Sequence, residues 1–164
     1  MKKVIKNYLA KLQENDKKGF SLVELIIVMA IMAILVGVVA SQVLPYMEKS
    51  RQSKDQQQLS SLATNVVSAV AQSGQDVGAF TSVKLSDFGT NAETKKFSAT
   101  LAELADTTDC TTYGNTLAGK LASKDAKTAK GAKASGILVS MDAKGVVTVH
   151  ASGAKSEKMT VVTE

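Results

Sequence analysis

Between Leu25 and Met47 the chain runs for 23 residues without a charged side chain, and Leu25 to Leu44 is almost wholly Leu, Ile, Val, Met and Ala. Twenty such residues in a helix rise about 30 Å, the thickness of a bilayer's hydrocarbon core. The run can therefore cross a membrane. Its flanks are lopsided: residues 1–19 hold six lysines (2, 3, 6, 11, 17 and 18) against Glu14 and Asp16, so this leading segment carries four of the five net positive charges. The positive-inside bias keeps that end in the cytoplasm and sends everything beyond Met47 outward. If the first 19 residues are removed, the rest carries only +1. Its basic composition then gives no support to nucleic-acid binding.

Three fates are open to such a start: a secretory signal, a permanent single-pass anchor, or a processed anchor that later leaves the bilayer. A secretory apolar region is about 7–15 residues, shorter than this run, although Val38-Val39-Ala40 before Ser41 resembles a small-residue cleavage site. Glu24, at the edge of the run, separates the other two. A carboxylate carried into apolar surroundings costs about 2.5–3.5 kcal/mol on insertion scales and needs a cation. A cut between Gly19 and Phe20 would create one, since the new α-amino group lies four residues from Glu24, about 6 Å along a helix axis.

Lys17-Lys18-Gly19-Phe20-Ser21-Leu22-Val23-Glu24-Leu25, followed by about twenty apolar residues, resembles the class III signal of type IV prepilins and the related pseudopilins. The resemblance covers residues 17–45. It implies a prepilin peptidase that cleaves after Gly19 and methylates Phe20, with Glu24 as the carboxylate used in subunit assembly. It further implies polymerisation with copies of itself into a helical filament, driven by a pilus assembly platform and its ATPase machinery. The chain would be a single-pass precursor in the cytoplasmic membrane and an extracellular pilus subunit when mature. Many pilins carry a C-terminal loop bounded by a disulfide, which the lone Cys110 rules out. Pilins without that disulfide look most like those of Gram-positive anaerobes.

Pro45 removes a backbone donor and Gly37 is a second weak point, so a helix break or kink is expected at these positions. Helix resumes beyond Pro45. Residues 48–58 are polar all round, with Arg51 and Asp55 one turn apart, and belong in water. Leu59, Leu62, Ala63, Val66, Val67 and Val70 share one helical face that should carry a head domain, and Ser73-Gly74-Gln75-Asp76 supplies a stop. A helix continuous from Phe20 to Gln72 would reach about 80 Å, so half of it must pack against something outside the head. Residues 74–135 read as a variable loop region with one short helix at Phe97, Leu101 and Leu104. Residues 136–164 read as a three-strand antiparallel meander: Gly136 to Asp142, Val146 to Ser152 and Lys158 to Thr163. Such a sheet must lie against the Leu59 to Val70 stripe. The expected fold is thus α+β, type IV pilin-like: a 1–19 leader, a 20–45 transmembrane or filament-core helix, a 46–73 amphipathic continuation and a small C-terminal sheet.

Little in the chain speaks for catalysis. His150 sits in a predicted strand as a surface or partly packed side chain, and Cys110 has Asp109 beside it, which raises a thiol pKa. No phosphate loop, calcium loop or Asn-x-Ser/Thr sequon occurs, so no catalytic residue, metal or cofactor is expected. Lys120, Lys124, Lys127, Lys130 and Lys133, broken by Asp125, form a solvated face or a patch for DNA, anionic glycans or a neighbour's acidic face. Without aromatics around it, base stacking is not supported. Phe20, Tyr46, Phe80, Phe88, Phe97 and Tyr113 are too dispersed in sequence to argue for a conductive filament.

The leading reading is a major pilin serving adhesion, twitching motility or DNA uptake. The alternatives are a minor pilin or a pseudopilin of a type II secretion or competence system, and, from a different class, an unprocessed membrane-tethered binding module.

Overall fold

In a computed structural model the structure describes residues 6–7, 20–152 and 159–163, with backbone alone at 127 and 128. The 1–19 leader, apart from Lys6 and Asn7, lies outside the described residues, as do Gly19 and the turn and strand start expected at 153–158. The chain divides into two compact units, Met1–Leu44 and Pro45–Glu164.

Helix α1 spans Leu22–Ser73 and begins on a reciprocal cap. The Glu24 carboxylate accepts from the Ser21 N–H at 2.9 Å, and Ser21 Oγ accepts from the Val23 N–H at 3.3 Å. Two donors at the helix start are thereby satisfied, the Ser-x-x-Glu capping box. The helix continues through Gly37 and Pro45 without interruption. One missing donor and one strained turn cost about 3 kcal/mol, which long helical flanks can absorb. The helix ends where expected: Ser73 Oγ donates to the Val70 carbonyl at 2.8 Å, and Gly74 takes the left-handed φ of +62° that follows many helix ends.

The second unit closes on the distal part of α1. Leu59, Leu62, Ala63, Val66 and Ala69 are fully buried, whereas Val67, expected on the same face, is 39% exposed and Val70 is half-buried. Ala69, three residues after Val66, is turned inward instead.

The sheet has four antiparallel strands in the order β1-β2-β3-β4, one more than the meander expected. They are β1 (Phe80–Lys84), β2 (Ile137–Met141), β3 (Val147–Ala151) and β4 (Thr160–Val162). In β2 and β3 the strict in–out alternation buries Ile137, Val139, Met141, Val147, Val149 and Ala151, which share one core with the α1 stripe. β1 has no such alternation. Its register against β2 shifts between Phe80 and Val83, where Ser82 takes φ +51° and its N–H donates to Ser140 Oγ at 2.8 Å. A bulge of this kind hides a strand from period-two reading.

The 74–135 stretch is also richer than a loop with one helix. It holds β1, the short 3₁₀ turn Leu85–Asp87, α2 (Lys95–Leu104), α3 (Cys110–Lys120), α4 (Lys127–Ala132) and the start of a second 3₁₀ turn, Lys133–Gly136. The short helix expected at Phe97 is α2, with Phe97 and Leu101 buried and Leu104 40% exposed. Asp109 caps α3 by accepting from the Thr112 N–H at 2.7 Å. Phe80, Phe88 and Phe97, distant in sequence, meet in the core with ring centroids 5.7–6.1 Å apart.

Candidate functional site

Phe20, 83% exposed, immediately precedes Ser21 and the capping box, so the first residue of the expected mature chain stands free at the head of the helix. Every side chain from Phe20 to Met47 is exposed in the single chain. Twenty Leu, Ile, Val, Met and Ala residues therefore stay uncovered by the other described residues, and α1 is long and apolar enough to cross a membrane. Gly37 belongs to this stretch. A Cβ there would meet nothing within 4 Å, so its smallness serves no packing among the described residues.

Glu24 was singled out by its position beside apolar residues, but its local bond was missed. The signal was present as Ser21-Leu22-Val23-Glu24 just before an apolar run. Its carboxylate already holds the N–H one residue beyond Phe20. An amine at Phe20 would be a chain neighbour of that bond.

Beyond Pro45 the polar segment is not wholly in water, contrary to expectation. Glu48, Gln52 and Asp55, four and three residues apart, fall on one side of α1 and grip the loop after α3. The Asp55 carboxylate, 1% exposed, accepts from the Ala122 N–H at 2.9 Å and the Ser123 N–H at 2.8 Å. Glu48 accepts from the Lys124 N–H, and Gln52 Nε2 donates to Asp125 at 2.8 Å. Arg51, paired in sequence reading with Asp55, instead lies 3.7 Å from Glu48. A carboxylate that satisfies two backbone donors has no need of a guanidinium. Sequence periodicity could not find this clasp, because the donors that Asp55 and Glu48 hold are main-chain N–H groups some seventy residues away.

The lysine run is divided among elements. Lys120 ends α3, Lys124 lies in the clasped loop, Lys127 and Lys130 belong to α4, and Lys133 opens the following 3₁₀ turn. Lys120, Lys124, Lys130 and Lys133 are exposed, and the side chain of Lys127 is outside the described residues.

His150 is half-buried on β3 opposite Leu138 and Thr160, and desolvation lowers its pKa. Cys110 is buried, 3.2 Å from the Ser98 carbonyl, and burial together with the Asp109 charge pushes its thiol up to about 12. A cleft of about 390 Å³ beside it is lined by hydroxyls, among them Ser86, Thr90, Ser98, Thr108 and Thr111. Asp109, on its rim, is spent on the α3 cap and on Thr108 and Thr112 side chains, which hold its carboxyl below the usual range. Among the described residues no group of three His, Cys, Asp or Glu side chains could hold a metal ion.

Residues 15–40 match the prokaryotic N-terminal methylation motif, the class III signal peptide. Taken with a long N-terminal apolar helix and a small antiparallel sheet, this is consistent with a type IV pilin and points to a structural protein of the pilin and pseudopilin kind. No curated protein and no solved structure matches the chain.

Proposed function

We propose that the chain is the precursor of a major type IV pilin, cleaved between Gly19 and Phe20, methylated on Phe20 and polymerised through residues 20–45 into a surface filament. The observation that carries this reading is the exposed aliphatic run that starts within the methylation motif. In a bilayer its side chains contact lipid; in a filament they contact the same run in neighbouring copies, and helix packing replaces lipid contact. Ala30, Ala33, Gly37 and Ala40 allow helices to approach closely, and the space around Gly37 in the single chain fits that use.

Glu24 then acts as the register key. It stays in apolar surroundings only where a positive amine meets it, so an incoming subunit is held where its carboxylate and a neighbour's N-terminus coincide. Prepilin peptidase, an assembly platform and its ATPase are the partners this cycle requires.

Intact mass and N-terminal sequencing of protein from the cell surface test the reading. The expected product begins at N-methylated Phe20 and is the chief component of sheared filaments. A product that retains Met1 would instead identify an unprocessed membrane-tethered module. Processed protein that is a trace component of filaments would identify a minor pilin or pseudopilin.

A further inference from the structure

We propose that the clasped loop completes a basic collar at the membrane surface, which docks the precursor's head on anionic lipid headgroups before polymerisation. The inference rests on the membrane reading of the apolar run given above. At 100° per residue, Glu48, Gln52 and Asp55 occupy an arc of about 60° of the helix. Exposed Lys49, Arg51 and Lys54 project from the remaining circumference. The loop gripped on the acidic arc presents Lys124 outward, and Lys120, exposed at the end of α3, leads into it, so positive charge surrounds the helix on the side where α1 itself offers none.

The three acids of this zone are turned away from solvent. Asp55 is buried, while Glu48 and Asp125 are half-buried and bonded to the Lys124 N–H and Gln52. The bases are left facing out. Their depth follows from chain length alone: Glu48 comes one residue after Met47, the end of the uncharged run, and the Lys124 backbone is bonded to Glu48. Lys54 is seven residues past Met47, no more than about 11 Å of helix. The headgroup layer plus one Debye length of about 8 Å covers that span. Tyr46 supports the same level. It is 75% exposed at the close of the apolar run with the Lys49 ammonium 5.9 Å from its ring centre, the pairing of aromatic and base favoured at a membrane–water boundary.

The test reconstitutes the full chain in phosphatidylcholine vesicles and in vesicles with a phosphatidylglycerol fraction, then labels lysines with an amine reagent that does not cross the bilayer. Lys84, Lys95 and Lys144, exposed on the head and outside the proposed collar, serve as references within the same molecules. Labelling of Lys49, Lys54, Lys120 and Lys124 should fall by about threefold or more on anionic vesicles and recover at high salt. Equal labelling on both vesicles to which the chain floats would overturn the collar while leaving the membrane reading intact. Failure to float with either would overturn both. Protection by duplex DNA on neutral vesicles, without protection by phosphatidylglycerol, would assign the lysines to nucleic acid and overturn the lipid role. A Lys120→Gln, Lys124→Gln double variant, altered only at exposed side chains, should weaken the protection of Lys49 and Lys54. Unchanged protection there would overturn the loop's part in the collar.

Discussion

At the scale of single residues, Glu24 carries two separable tasks. One is local, a bond to the Ser21 N–H that starts the helix. The other is the charge proposed to meet a neighbour's amine. Glu24→Gln keeps an acceptor for the capping box and removes the charge, whereas Glu24→Leu removes both. Both variants should be cleaved normally and both should lose surface filament, with the start of the helix preserved only in the Gln form. Filament counts at wild-type level from Glu24→Gln would eliminate the charge as the assembly determinant. Cys110 offers a second test, because its thiol is raised to about 12 by burial and Asp109. At pH 8 it should resist alkylation in the folded protein and react rapidly once denatured, a contrast read by mass spectrometry. The direction of this shift was legible from the Asp109-Cys110 pair; its larger cause, burial, was not, because the sequence placed Cys110 in a loop rather than at the first turn of α3.

At the scale of elements, α3 shows how a glycine-containing helix escapes detection and why it is held. Gly114 faces the 3₁₀ turn after α4 so closely that a Cβ would stand 2.6 Å from Ala134 Cβ and 2.9 Å from Ala134 Cα. Gly119, on the same helix, would meet nothing within 4 Å. Gly114→Ala should therefore destabilise the head by about 1–3 kcal/mol through overpacking. Gly119→Ala should be neutral or add up to about 1 kcal/mol through helix propensity. Thermal melts of the two variants compare a single chemical change in two settings. Strands β2 and β3 were legible because both alternate strictly, and α1 because its apolar run and distal stripe follow helical period. β1 was not, since its bulge at Ser82 interrupts the alternation on which recognition depends.

At the scale of the whole molecule, the second unit is tied to α1 by two kinds of contact. An aliphatic stripe from Leu59 to Ala69 supplies area, and the Glu48, Gln52 and Asp55 clasp supplies direction. Asp55→Ala strips charge-assisted bonds from the Ala122 and Ser123 N–H groups, each worth about 1.5–3 kcal/mol, and should free the 121–126 loop selectively. Amide exchange at Ala122 and Ser123 should rise by more than that of β2 and β3, while a uniform rise would mean that Asp55 supports the fold at large. Residues 48–58 read in sequence as polar all round and in water, and the error has a plain cause. A helix polar on every side gives no sign of which polar side is engaged when the engaging groups are amides common to every residue.

That the grip is on main-chain atoms has a further consequence. The carboxylates read only the N–H groups of Ala122, Ser123 and Lys124, so the exposed Ala122 and Lys124 side chains can be rewritten without loosening the attachment, whereas Ser123 is buried with its Oγ accepting from the Ala126 N–H. Proline at these three positions is the evident exception, for it alone would arrive without the hydrogen that the carboxylates hold.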